Sequence, residues 1–194
     1  MMFAARLRIG WLASLKRGWA DDCASQIVEL ALSLPLLVFF VVGIFDFSGA
    51  LTLKQKLTNA AREGARVSAA DPASDMYATV PVSVSDAAQV VDNYLYSEKI
   101  NDCGLGPTLP APTPGANPLI WIYSATGSGC PGNGISIEIN RGCWTLENGV
   151  YLIGTCVKVT YAYKWQFNSV SGLMPGKFLG PATITTTAEA FNEN

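Results

Sequence analysis

Cys103, Cys130, Cys143 and Cys156 are separated by 27, 13 and 13 positions. No C-x-x-C pair is present and the chain contains no histidine. A zinc site would therefore lack both its usual spacing and its usual nitrogen ligand, and no metal is expected. An even number of cysteines in a stretch rich in Gly and Pro points instead to two disulfides formed in an oxidising compartment. Four cysteines allow three connectivities. Cys143 and Cys156 flank a turn signal at Asn148-Gly149 and would face each other in a symmetric hairpin, which favours Cys143–Cys156 with Cys103–Cys130. Without histidine the commonest general base is also missing. There is no catalytic triad, phosphate-binding loop or dinucleotide fingerprint, and Glu138 and Glu147 stand alone. The expectation is a protein that is not an enzyme and carries no cofactor.

Glu29 is a different kind of carboxylate. It is the one charged residue in the run Ile27–Phe45, IVELALSLPLLVFFVVGIF. A run of this length crosses a hydrocarbon core at about 1.5 Å per residue. It is apolar all round, unlike a surface helix, and membrane helices tolerate an internal proline such as Pro35. A charge near the end of such a span costs on the order of 1–3 kcal/mol. It is kept for a partner or, alternatively, sits at the headgroup level and snorkels.

The rest of the composition narrows the class. Of 194 residues 49% are hydrophobic and 14% charged, with a net charge of −2. That is too apolar for a disordered chain and offers no basic block for nucleic acid. Arg6, Arg8, Lys16 and Arg17 precede the span, and Lys54, Lys56, Arg62 and Arg66 follow it. The positive-inside count is thus balanced. The cysteines decide the orientation: an exported C-terminal domain and an N-terminus inside. Ser48-Gly49-Ala50 is the nearest approach to a signal-peptidase site.

Beyond the span, Leu51–Ala70 holds good helix formers and no strong breaker until Asp71-Pro72. One continuous helix over 25–70, roughly 70 Å long at about 1.5 Å per residue, is expected to run from membrane into stalk. A second helix is expected over Asp86–Ser97, capped by Ser85 or Asp86. Asp102–Pro118 reads as a loop. Strands are expected at Leu119–Ser124, Ile135–Ile139, Val150–Ile153, Thr155–Trp165 and Ala182–Ala190, separated by turn signals that include Gly132-Asn133-Gly134, Asn148-Gly149 and Pro175-Gly176. The fold class is α+β: a long N-terminal transmembrane and stalk helix, then a small antiparallel-sheet head. Trp121, Tyr123, Trp144, Tyr151, Tyr161, Tyr163 and Trp165 read as core or cross-strand residues, a ligand platform being the alternative.

Two segments together resemble the TadE/TadG-like minor pseudopilins. The first is Gln26–Pro35, QIVELALSLP, and the second is Ala60–Arg66, AAREGAR. The Val157–Tyr161 strand and the Thr186–Glu193 tail are also similar to that family. The resemblance implies a pilin-like fold, membrane anchoring, and assembly or priming of a tight-adherence pilus. It implies removal of a leader by a prepilin peptidase, with glutamate at mature position five. On that count Glu29 sets Ser25 as the first mature residue and Ala24 as the last leader residue, where the family has Gly. The new amine on Ser25 is then a partner for Glu29, on the same chain or a neighbour. Arg62, Glu63, Gly64 and Arg66 are the family motif in the stalk. They read equally as a solvated face near lipid headgroups and as a docking surface, and the small residues around them permit close helix packing.

The expected organisation is a cytoplasmic leader over 1–24, a transmembrane and stalk helix over 25–70, and an exported head with two disulfides over 71–194. The implied partners are the membrane, the prepilin peptidase, other pilins or pseudopilins, the pilus assembly platform, and further copies of the chain in a fibre. The implied location is the bacterial inner membrane with the head in the periplasm, or outside the cell in a pilus. The alternatives are a signal-anchored periplasmic binding or regulatory domain and a secreted protein cut near Ala50.

Overall fold

Helix α1 runs unbroken from Asp22 to Ala70 in the computed structural model, which describes residues 22–106, 108–166 and 183–192. The chain divides into two units, Met1–Phe45 and Asp46–Asn194, and α1 contributes to both. In the first unit its large apolar side chains, among them Ile27, Leu32, Phe40 and Phe45, are exposed, apart from the half-buried Phe39 and Val42. Pro35 lies inside the helix and cannot donate to the carbonyl of Ala31. One turn earlier the Ser33 hydroxyl donates to the carbonyl of Leu30 at 3.2 Å. Among the described residues this is the one helix long and apolar enough to cross a membrane.

In the second unit the same helix becomes one-sided. Leu57, Ala60, Ala61, Ala65, Ser68 and Ala69 are buried, a spacing that puts them on one stripe of the helix. Asp71 and Pro72 end it, because proline pushes the preceding residue out of helical geometry. A short 3₁₀ turn, Ala73–Tyr77, leads to α2, Val82–Ser97. The sequence expectation placed the start of α2 four residues later. Pro81 instead occupies the N-cap position, and the Ser83 amide donates to the Asp75 carboxylate at 2.8 Å. The capping group comes from the preceding turn, so neither Ser85 nor Asp86 is needed.

Five strands follow: β1 Thr113–Pro114, β2 Ile120–Ala125, β3 Ile135–Glu147, β4 Val150–Ala162 and β5 Thr183–Phe191. They form an antiparallel sheet in chain order, β1-β2-β3-β4-β5. The architecture is α+β, helix then sheet. Ile135, Ile137 and Ile139 of β3 pair with Tyr161, Val159 and Val157 of β4. Together they form the inward face, buried in one core with Leu57, Ala61, Val84, Val91 and Leu95 of the helices. On the outward face Glu138 and Lys158 are opposite each other and joined at 2.6 Å.

β3 and β4 are longer than the sequence expectation. Gly154 does not split β4: a Cβ there would lie 2.8 Å from the carbonyl oxygen of Ala190, so glycine admits β5 at close range. The Asn148-Gly149 turn has positive φ at both residues, 52° and 82°, the signature of the two-residue hairpin turn that matches strand twist. It sets Glu147 opposite Val150 and Cys143 opposite Gly154, with a bulge between Asn140 and Cys143. The expected direct opposition of Cys143 and Cys156 is corrected: a hairpin turning on two residues, 148 and 149, already sets Gly154 opposite Cys143, and the bulge beyond it sets Asn140 opposite Cys156. The two cysteines are diagonal neighbours, bridged at a Cα separation of 5.9 Å. The second bridge, Cys103–Cys130, has a Cα separation of 5.4 Å. The expected turn at Pro175-Gly176 lies outside the described residues.

Candidate functional site

Glu29 and Ser25 are exposed residues of α1, four positions apart and hence on one side of the helix. The expected leader 1–24 lies largely outside the described residues. Asp22 to Ala24 belong to the first turn of α1, so helix begins ahead of the expected junction between Ala24 and Ser25. The helical neighbours of Glu29 are Ser25, Gln26, Leu32 and Ser33 on its own side and Ile27, Val28 and Leu30 beside it, all exposed. None of the described residues covers this surface.

The AAREGAR segment divides between two environments. Arg62, Glu63 and Arg66 are exposed, and Arg66 Nε lies 3.9 Å from Glu63 Oε2 with the Arg66 side chain 81% accessible. Ala60, Ala61, Gly64 and Ala65 are buried. A Cβ on Gly64 would stand 2.7 Å from Val91 Cγ2 and 3.2 Å from the Ala87 carbonyl. The close helix approach expected from these small residues is therefore made to α2 of the same chain. Only the charged side of the motif remains for a partner or a headgroup.

Asp46, the residue that closes the apolar run, is buried. Its carboxylate accepts the Gln166 amide at 3.0 Å, and its carbonyl lies 3.4 Å from the Tyr163 hydroxyl. Burial, and then the Asp46 charge, push the Tyr163 pKa up. Here the chain after β4 is tied to the first turns of the helix in the head.

Sequence reasoning missed Arg141, which is 1% exposed. Its guanidinium donates to the carbonyl of Ser68, to Thr155 Oγ1 at 3.0 Å and to the carbonyl of Asp71 at 3.1 Å. The Ser68 and Asp71 carbonyls belong to the end of α1 and the residue after it, where orphan acceptors and the negative end of the dipole favour a cation. Burial lowers the Arg141 pKa, while Asp75 and Asp71 oppose that shift. Thr155 in turn donates to Asn192 Oδ1 at 2.8 Å. Helix end, bulge, β4 and the end of β5 are thus clamped together. The signal was available: alternation from Ile135 through Ile139 puts position 141 on the inward face.

Past Arg141 the inward face continues without a helix over it. A groove of about 770 Å³ opens there, lined by Met76, Leu119, Arg141, Trp144, Tyr151 and Phe191 among others. Trp144 and Tyr151 are 63% and 65% exposed and meet edge to face at 5.2 Å. Of the two readings, core or cross-strand, these two take the second. Trp121, Tyr123 and Tyr161 are buried as expected, with Trp121 Nε1 donating to the Thr79 carbonyl at 3.2 Å.

Cys143, Cys156 and Glu189 come within 4.8 Å of one another. The two cysteines are joined to each other, and the Glu189 carboxylate accepts the Thr145 hydroxyl at 2.9 Å, so the three serve as a bridge and a side-chain contact. Burial, and then the nearby Asp102, raise the pKa of Asp92 to about 6, but Asp92 does not line the groove beside Trp144 and Tyr151.

Neither the curated proteins nor the solved structures contain a match to this chain. Among protein-family models the description "TadE-like protein" matches residues 24–66, so the chain is similar to that family over the stretch that holds both the Glu29 segment and the AAREGAR segment.

Proposed function

We propose that this chain is a membrane-anchored, pilin-like subunit of TadE type, a structural or assembly component of a tight-adherence pilus. The observation that carries the proposal is the TadE-like match over residues 24–66, coinciding with a helix whose apolar residues are exposed all round. In water such a surface would aggregate; in a bilayer or among like helices it is satisfied. The TadE-like family is one of pilus structure and assembly, and the disulfide-bridged head suits export.

In this reading a prepilin peptidase cuts between Ala24 and Ser25 and leaves a free amine. Glu29, one turn on, neutralises that amine within the chain or on a neighbouring subunit through a charge-assisted hydrogen bond. The pairing offsets the cost of a carboxylate in hydrocarbon and favours one axial stagger between subunits. The head faces the periplasm, and the exposed Arg62, Glu63 and Arg66 meet other pilins or the assembly platform.

Intact mass and N-terminal sequencing of the protein from membranes or sheared fibres test this. A chain starting at Ser25 is expected, and Glu29→Ala should still be cut while failing to assemble. A start at Met1 would overturn the pilin reading in favour of a signal-anchored periplasmic domain that binds or regulates outside any fibre. A start near Leu51 would make it an ordinary secreted protein.

A further inference from the structure

The inward face of the sheet has a covered part and an uncovered part. The helices cover it as far as Arg141 and Thr155. Beyond them, β3 and β4 continue as a two-stranded ribbon. Register pairs Trp144 with Ile153 and Leu146 with Tyr151, so all four side chains share one side of the ribbon. They are 63%, 60%, 54% and 65% exposed, respectively. No bulky polar residue interrupts them. Thr145 and Glu147 alternate to the other side, where Glu189 takes the Thr145 hydroxyl.

We infer that this ribbon face is a self-association surface, and that its occupant is the same face of a second copy of the chain. Size supports the assignment. Taking about 150–250 Å² for a whole aromatic side chain and somewhat less for Leu and Ile, the four residues offer roughly 500 Å². That lies in the upper part of the range for the largest apolar patch a soluble monomer ordinarily leaves bare. Two copies face to face would bury ~1,000 Å², the least that a specific interface needs.

Charge supports it as well. Among the described residues the ribbon face, Trp144, Leu146, Tyr151 and Ile153, carries no ionised group, so a two-fold contact between these residues brings no like charges together. A partner recognised through charge would find nothing here to read. Among the described residues, the other exposed apolar surface of this extent is α1 over 25–45, which the membrane covers in the proposed function. The ribbon itself therefore supplies the matching surface, and two twisted ribbons can stack about 10 Å apart with their side chains interleaved. The inference rests on the anchor reading for one element only: confinement to a membrane raises the effective concentration of copies, so a contact of minimal size suffices.

The test is photo-crosslinking of the full-length chain in its own membrane. A benzophenone amino acid is placed at Leu146, on the face, or at Thr145, on the opposite side. An adduct of doubled mass, peptide-mapped to two copies of this chain, is expected from position 146 and not from 145. Trp144→Glu should reduce that adduct at least tenfold while both disulfides stay intact by mass. Ile153→Lys serves as a second variant should the first fail to fold. An equal yield from both positions, an adduct with a different polypeptide alone, or no protein adduct from position 146 would each overturn the inference. N-terminal sequencing of the same samples separates the two readings. A dimer adduct from a chain starting at Met1 would sink the pilin assignment and leave the self-contact standing. A chain starting at Ser25 without the adduct would do the reverse.

Discussion

Two glycines of one helix meet opposite surroundings. Gly43, in the apolar N-terminal part of α1, has no atom within 4 Å of where a Cβ would stand. Gly64, in the part that belongs to the head, has Val91 Cγ2 at 2.7 Å. The first stretch of helix presents large side chains outward in every direction. The second presents small residues on one side and charges on the other. A single run of helix former thus serves two surroundings, and side-chain size along it tells which partner each part has. Bulk is left exposed on a helix long and apolar enough to cross a membrane, and smallness faces the chain's own second helix.

The sharpest way to break that comparison is to add bulk at both places. Gly64→Leu has to push apart α1 and α2 against backbone as well as side chain, at a cost of about 3 kcal/mol or more. The head is expected to lose its near-ultraviolet circular dichroism and its protease resistance. Gly43→Leu should leave head stability within about 0.5 kcal/mol. If Gly43 is a helix–helix contact point in the membrane, its substitution lowers assembly alone. Equal effects on the head from both substitutions would mean that the two parts of α1 are not distinct in the way drawn here.

Next in size is the clamp at the end of the packed part. Arg141→Met keeps most of the volume but removes the donors to the Ser68 and Asp71 carbonyls and leaves Asp71 and Asp75 without a cation beside them. Removing one partner from a buried charged network costs about 3 kcal/mol. Urea unfolding of the full chain in detergent should show the midpoint falling, with both disulfides still formed. A midpoint unchanged within error would mean that α1 ends the same way without its cap.

These two sites also show what was legible beforehand. The apolar run, the alternation of Ile135, Ile137 and Ile139, and the Asn148-Gly149 turn each have a period or a residue pair tied directly to backbone geometry. The strands and the long helix followed from them. The partner of Ala60, Ala61, Gly64 and Ala65 did not, because small residues signal close approach without naming what approaches. Arg141 carried a readable parity but lay beyond the expected strand end at Ile139, and nothing in the sequence names the end of α1 as its acceptor. The bulge beside it was equally invisible, so the residue opposite Cys156 could not be read from the sequence, whereas Gly154 opposite Cys143 follows from the two-residue turn. The exposure of Trp144 and Tyr151 depended on where the helices stop, which is a tertiary fact.

A smaller effect sharpens the picture of the head's interior. Asp92 is 5% exposed on α2, and its pKa of about 6 lies above its ordinary value of 3.8. The folded state therefore holds the proton more tightly than the unfolded chain. Its stabilising contribution is full below about pH 3.8 and is lost as pH rises through about 6. From this group alone the head should be about 1 kcal/mol more stable at pH 5 than at pH 7.5. Asp92→Asn should flatten that difference and raise stability at pH 7.5. Unfolding midpoints at the two pH values check it, and a wild-type midpoint that rises toward pH 7.5 while the Asn variant stays flat would reverse the sign assigned to this carboxylate.

The smallest stability effect is expected at the exposed charges of the AAREGAR segment. Arg66 and Glu63 form a long, exposed pair at 3.9 Å, and solvent and salt screen such pairs to well below 1 kcal/mol. Arg62→Ala and Arg66→Ala should each leave the unfolding midpoint within about 0.5 kcal/mol. Their helix is held by its other side, through Ala61, Gly64 and Ala65. If the charged side meets anionic headgroups or an acidic partner, the same substitutions weaken membrane or complex association, and more so at low salt. Co-purification with the other pilus components at two salt concentrations separates the alternatives. A loss of association with stability unchanged assigns the charges to docking and the small residues to folding. A loss of stability in step with association would mean that the division of this motif into two faces is wrong.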